Sequence, residues 1–146
     1  MSIPKLKNKK NGCRGYIFSR EINGNFIPQR VQNLVIKDFA ERKNIFYKLS
    51  QTEYIMKNSY LMLHALLGDL KSIDGIIFYS LEMLPEKSSI RNDILKKLIL
   101  NKKIIYFALE EIELKTIKKL NEVEKLISIK KIAMKKNFIK KIYSKV

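Results

Sequence analysis

Asp74-Gly-Ile-Ile-Phe-Tyr79 is the stretch on which the fold turns. Its apolar residues run without a polar break, the pattern of a strand buried on both faces in a parallel sheet with helices on either side. Working back from it, Arg14-Gly-Tyr-Ile-Phe-Ser19 is a β-branched and aromatic run between Asn11-Gly12 and Asn23-Gly24-Asn25, and reads as the first strand. Pro28 suits the first turn of a helix, and Val31, Leu34, Val35 and Phe39 give that helix one apolar stripe through about Lys43. Asn44-Ile-Phe-Tyr-Lys-Leu49 reads as a second strand, and Leu63, Leu66, Leu67 and Leu70 mark a helix over about residues 58–70 that ends near Gly68. Working forward, Pro85-Glu-Lys-Ser-Ser89 is a loop with serine caps, and Ile90, Ile94 and Leu98 share one face of a third helix. Lys103-Ile-Ile-Tyr-Phe-Ala108 is a fourth buried strand, and Ile117, Leu120, Val123 and Leu126 or Ile127 begin a last helix.

Alternating strands and helices predict an α/β fold: a single three-layer domain with a parallel sheet of four strands, or five, joined by right-handed crossovers. The expected boundaries are a basic arm over 1–11, the α/β domain over 12–127 and a basic helical tail over 128–146. The 146 residues suit one core, and a hydrophobic content of 46% excludes a disordered chain.

The formal charge is +16, from 30 Lys and Arg against 14 Asp and Glu. Residues 114–146 alone hold 11 Lys and 2 Glu, so most of the excess lies at the C-terminal end. Lysines account for 25 of the basic residues, and the five arginines (Arg14, Arg20, Arg30, Arg42, Arg91) all precede that segment. Phosphate and base recognition favour arginine's planar fork, so this balance reads as much like the residue bias of an A/T-rich genome as a nucleic-acid surface. The tail's apolar residues Ile129, Ile132, Ile139 and Tyr143 share a helical face that Lys135 and Lys136 interrupt, which fits a solvated helix, or a surface for acidic partners, nucleic acid or anionic lipid.

One cysteine, Cys13, excludes a disulfide framework, and one histidine, His64, within the leucine stripe, leaves no Cys–His pair in view. No metal-ligand spacing, dinucleotide fingerprint or P-loop is present, so neither a metal nor a cofactor is expected. With no apolar segment behind the basic N-terminus and no span of ~20 apolar residues, the expected location is cytoplasmic, without a membrane span.

Ligands of open parallel sheets bind outside the carboxyl ends of the strands, where helix N-termini converge. The expected rim holds Ser19 and Arg20 after the first strand and Gln29, Arg30, Gln32 and Asn33 at the start of the first helix. Glu53 and Tyr54 follow the second strand, Tyr79, Ser80 and Glu82 the third, and Glu110 the fourth, next to Glu111. Such groups suit a polyhydroxylated, phosphorylated ligand; they are also the residues of ordinary capping, and Glu110-Glu111 would balance Lys102 and Lys103. Arg20 and Glu82 carry most weight, each standing where a buried strand emerges.

Arg14-Gly-Tyr-Ile-Phe-Ser-Arg20, Ile27-Pro-Gln-Arg-Val-Gln-Asn33, Ser50-Gln-Thr-Glu-Tyr54, Tyr79-Ser-Leu-Glu-Met-Leu-Pro85 and Phe107-Ala-Leu-Glu110 form a series that resembles the sporadic carbohydrate cluster family of bacterial surface-polysaccharide loci. The resemblance spans roughly residues 12–112. It implies a role in making surface polysaccharide or lipopolysaccharide; joined to the polar rim, it leads to the expectation of a sugar or nucleotide-sugar bound or modified at the carboxyl edge, with other glycan-biosynthesis proteins as candidate partners and nucleic acid less favoured. The first-strand segment ending at Ser19, with Asp74 to Leu84, also resembles the catalytic domain of serine recombinases, which implies a resolvase-like, flavodoxin-like fold. There Ser19 would match the nucleophile, and Ser19 and Glu82 become candidate catalytic residues. The recombinase pattern has Arg two positions before that serine, where this chain has Ile17, and an acidic-Arg pair where this chain has Glu82-Met83. Cations that would stabilise a transferring phosphate are therefore depleted, which argues against DNA strand exchange.

Overall fold

The structure, a computed structural model, describes residues 11–144; residues 1–10 of the expected basic arm lie outside them. The apolar runs become strands β1 (Cys13–Phe18), β3 (Gly75–Phe78) and β4 (Ile104–Phe107), with β2 (Tyr47–Glu53) on the far side of β1. The sheet order is β2-β1-β3-β4-β5, where β5 is Ile112–Leu114. Four strands are parallel, as expected, and the order is that of flavodoxin-like sheets. The fifth strand runs antiparallel, which corrects the expectation of an all-parallel sheet. Only residues 108–111 separate β4 from β5, too few for a parallel crossover, and Glu111 turns the chain with φ 56°.

Helices α1 (Gln29–Arg42), α2 (Leu61–Leu67) and α3 (Ser88–Leu100) connect the parallel strands. They occupy both faces. Phe39 of α1 meets Tyr106 edge-on at 5.6 Å, whereas the next residue, Phe107, points the other way and stacks on Phe78 at 5.4 Å. Phe78 in turn contacts Tyr16, whose hydroxyl reaches the carboxylate at the start of α2, and α2 packs on α3. Gly75 lets β3 lie against β4, since a Cβ there would overlap the Ile104 carbonyl oxygen.

Several local expectations are corrected. Asn44 does not begin β2: it is the left-handed residue, φ 56°, closing α1 in a Schellman turn, with Ile45 N–H on Ala40 O and Asn44 N–H on Glu41 O. The strand instead takes in Ser50-Gln-Thr-Glu53, polar residues tolerated because β2 is an edge strand. The buried face of α1 is Gln32, Ile36, Phe39 and Ala40, leaving Val31 and Leu34 exposed. A polar anchor at Gln32 fixes its rotation. The second helix is shorter than expected and is followed by a separate 3₁₀ turn over Leu70–Ser72; His64 lies exposed on it. Ser88 and Ser89 sit inside α3 rather than capping it, and Arg91, not Ile90, is buried.

The chain divides into two compact units, residues 1–115 and 116–146. The second contains one helix, α4 (Ile117–Tyr143), continuous through the boundary expected at residue 128 and started by Thr116, whose hydroxyl accepts the Lys119 N–H at 3.1 Å.

Candidate functional site at the carboxyl edge

Strand order reverses at β1: the chain leaves it for β2 on one side and returns to β3 on the other. The loops after β1, β2 and β3 therefore splay apart at their carboxyl ends, and a cleft of about 470 Å³ lies among them. Its walls are Phe18 and the 20–24 loop, residues 55–60 before α2, and Glu82, Leu84 and Glu86 after β3.

Many of the polar residues expected to crowd this rim turn inward and build it. Gln32 is fully buried; its Oε1 accepts the Phe18 N–H and its Nε2 donates to Phe18 O and Ile27 O, so one amide clips the end of β1 and the following loop to α1. Glu53 is equally buried. Its carboxylate accepts the Tyr16 hydroxyl at 2.9 Å and the backbone N–H groups of Tyr54, Met62 and Leu63. The last two belong to the first turn of α2, whose N-cap residue Tyr60 contributes no side-chain bond, so a carboxylate from β2 does the capping. Burial, then the Glu53 charge, pushes the Tyr16 phenol far above its ordinary pKa.

Ser80, also buried, donates to Glu110 Oε2 at 2.8 Å and accepts the Glu82 N–H at 3.1 Å, while Glu110 Oε1 accepts the Leu81 N–H at 2.9 Å. Together they hold the 3₁₀ turn Leu81–Met83 that presents Glu82 outward. Glu110 and Glu111 therefore do not serve Lys102 and Lys103: Glu111 pairs with Arg42. Tyr79 is buried beneath this turn, and burial, Glu110 and Glu82 in that order raise its pKa. Arg91 supports the same loop by donating to Pro85 O and Glu86 O.

Arg20 and Glu82 do face the cleft together. The Arg20 guanidinium lies 4.0 Å over the Phe18 ring and 5.1 Å from the Tyr60 ring centre, and its Nη1 donates to Tyr54 O and Met56 O. It is a cation fixed by two rings and two carbonyls. Among the described residues the exposed Glu82 carboxylate has no hydrogen-bond or ion-pair partner. The others lie elsewhere. The Ser19 hydroxyl donates to Glu53 O, Tyr54 is exposed beside the rim, Gln29 and Arg30 are exposed on the first turn of α1, and Asn33 accepts the Tyr47 hydroxyl between α1 and β2.

The cleft also holds residues not anticipated: Glu21, Lys57, Asn58, Tyr60 and Glu86. The one available signal was turn chemistry. Asn23 and Gly24 adopt positive φ in a tight hairpin closed by Ile22 and Asn25, and Asn58 turns the chain with φ 64°. Comparison with protein-family models, with curated proteins and with solved structures finds no match for this chain.

Proposed function

We propose that this protein acts in bacterial surface-carbohydrate biosynthesis and that it binds or modifies a sugar or nucleotide-sugar in the carboxyl-edge cleft. The observation that carries the reading is the pairing of an immobilised cation, Arg20, with the unpartnered Glu82 carboxylate in one cleft floored by aromatic rings. Carboxylates accept hydrogen bonds from sugar hydroxyls, ring faces cover the apolar side of a pyranose, and a guanidinium takes a phosphate oxygen. Glu21, Glu82 and Glu86 outnumber Arg20 and Lys57 around the cleft, which favours the hydroxyl-rich sugar as the part held there over a diphosphate. The motif series read from the sequence resembles a family of surface-polysaccharide loci, which is compatible with such a ligand.

Ser19 and Glu82 stand as candidate catalytic residues. Ser19 has its hydroxyl engaged with the β2 carbonyl, so the better-supported role of the site is binding. A thermal-shift screen of sugars, sugar phosphates and nucleotide-sugars tests the reading: at least one should raise the melting temperature of the wild type and not of Glu82→Gln. A screen without a single stabilising ligand would sink it. A second reading, a nucleic-acid-binding module built on a degenerate recombinase-like domain, draws on the lysine-rich α4 and predicts duplex-DNA binding that weakens steeply with salt.

A further inference from the structure

The C-terminal half of α4 carries charge and apolar surface together. Residues 128–144 contain six lysines and no acidic residue, and from Ile132 onward every described side chain is exposed. At 100° per residue, Met134, Phe138 and Ile142 fall on one line of the helix and Ile132, Ile139 and Tyr143 on another, bounding a half-cylinder with Lys135 between them. Lys136, Asn137, Lys140 and Lys141 occupy the opposite half. Phe138 is 65% exposed and Tyr143 74%, an unusual presentation of apolar surface for a helix in water.

We propose that this half of α4 is a peripheral anchor that lies along an anionic lipid bilayer. Charge complementarity selects the occupant: a surface offered by four lysines with no compensating acid over residues 132–144 fits a negatively charged partner. Nucleic acid would satisfy the lysines and leave Phe138, Ile139, Ile142 and Tyr143 in water. An anionic bilayer takes both, since the rings and branched chains enter the acyl boundary while lysines stay among the headgroups, Lys135 reaching them by extending its stem. Among the described residues no helix is long and apolar enough to cross a membrane, so α4 would lie on the surface. The proposal rests on α4 alone and is independent of the carboxyl-edge ligand.

Cosedimentation of the full chain with vesicles tests it. Binding is expected to vesicles in which about a third of the lipid is phosphatidylglycerol, to be lost on pure phosphatidylcholine, and to fall with salt. Lys140→Gln with Lys141→Gln should weaken it on the order of 25-fold, from roughly fivefold per lysine. Phe138→Ser with Ile142→Ser keeps the charge and should weaken it more than tenfold. Both side chains of each pair are exposed, so an unchanged melting temperature shows that the fold persists. No sedimentation with anionic vesicles, equal binding to both lipids, or displacement of the protein from vesicles by duplex DNA with the Phe138/Ile142 variant behaving as wild type would each overturn the proposal.

Discussion

The two edges of the sheet carry clefts of nearly equal size and opposite character. At the carboxyl edge the cleft of about 470 Å³ is ringed by loops entering helices; at the amino edge one of about 500 Å³ lies where α1 and α3 end, lined by Cys13, Asn44, Asp74, Lys102, Lys103 and Tyr106 among others. Part of the amino-edge polar set is spent on closure. Asp74 accepts the Gly12 N–H at 2.8 Å, Lys103 donates to Ile73 O, and the ends of α1 and α3 are sealed by paired Schellman bonds. The carboxyl edge does the same structural work with side chains that reach between elements, Gln32, Glu53, Ser80 and Glu110, and still leaves Glu82 uncommitted. Volume alone does not separate the two; what separates them is the kind of group left over, a carboxylate beside a cation held over two rings at the carboxyl edge, two lysines and an asparagine at the amino edge.

The sharpest way to break this comparison is at the carboxyl edge. Glu53→Leu would orphan the Tyr16 hydroxyl and the first N–H groups of α2, at a cost on the order of 3 kcal/mol or more. Glu82→Leu, in the turn after β3, should stay within about 0.5 kcal/mol of the wild type. Urea midpoints measure both; similar midpoints for the two variants would erase the distinction between scaffold and site.

At the amino edge, burial and then Asp74 push the Cys13 thiol up to about 12, and burial and then Cys13 push the Tyr106 phenol up to about 12. A raised acidic pKa means the folded state keeps its proton longer, so the contribution of these groups to stability is full below the unfolded pKa and is lost as pH rises from there through the folded pKa. Stability should decline from about pH 9 upward, followed by circular dichroism, and iodoacetamide should modify Cys13 at pH 8 only as fast as the chain opens. Rapid native-state alkylation would mean the amino-edge cleft is not closed as described.

A small gain is expected at Lys102, the left-handed residue of the α3 Schellman turn at φ 59°. Glycine has no Cβ penalty there, so Lys102→Gly should raise stability by roughly 1 kcal/mol, read as a higher melting temperature. A loss of stability would show that the lysine side chain contributes to the amino-edge wall.

Legibility in the sequence followed the physics of each element. Asp74 to Tyr79 and Lys103 to Ala108 announced their strands because both faces are buried and nothing polar interrupts them. The edge strand β2 was misplaced because half-exposed residues carry little hydrophobic signal, and the three-residue β5 is too short to carry any pattern. Arg20 and Glu82 could be singled out because each follows a buried strand directly. Gln32 in α1, Glu53 at the end of β2 and Ser80 after β3 belong to the same rim, yet their roles rest on partners 14 to 37 residues away, as Gln32 with Phe18, Ser80 with Glu110 and Glu53 with Tyr16 show.

The sequence by itself determined the α/β alternation, the apolar strands, and the charge gathered beyond residue 114, because these depend on local periodicity and composition. Only the tertiary structure decided which polar residues of the rim are walls and which face the open cleft. Whether a carboxylate faces water or caps a helix depends on where the fold places it and which donors it brings there, as Glu53 and Glu82 show.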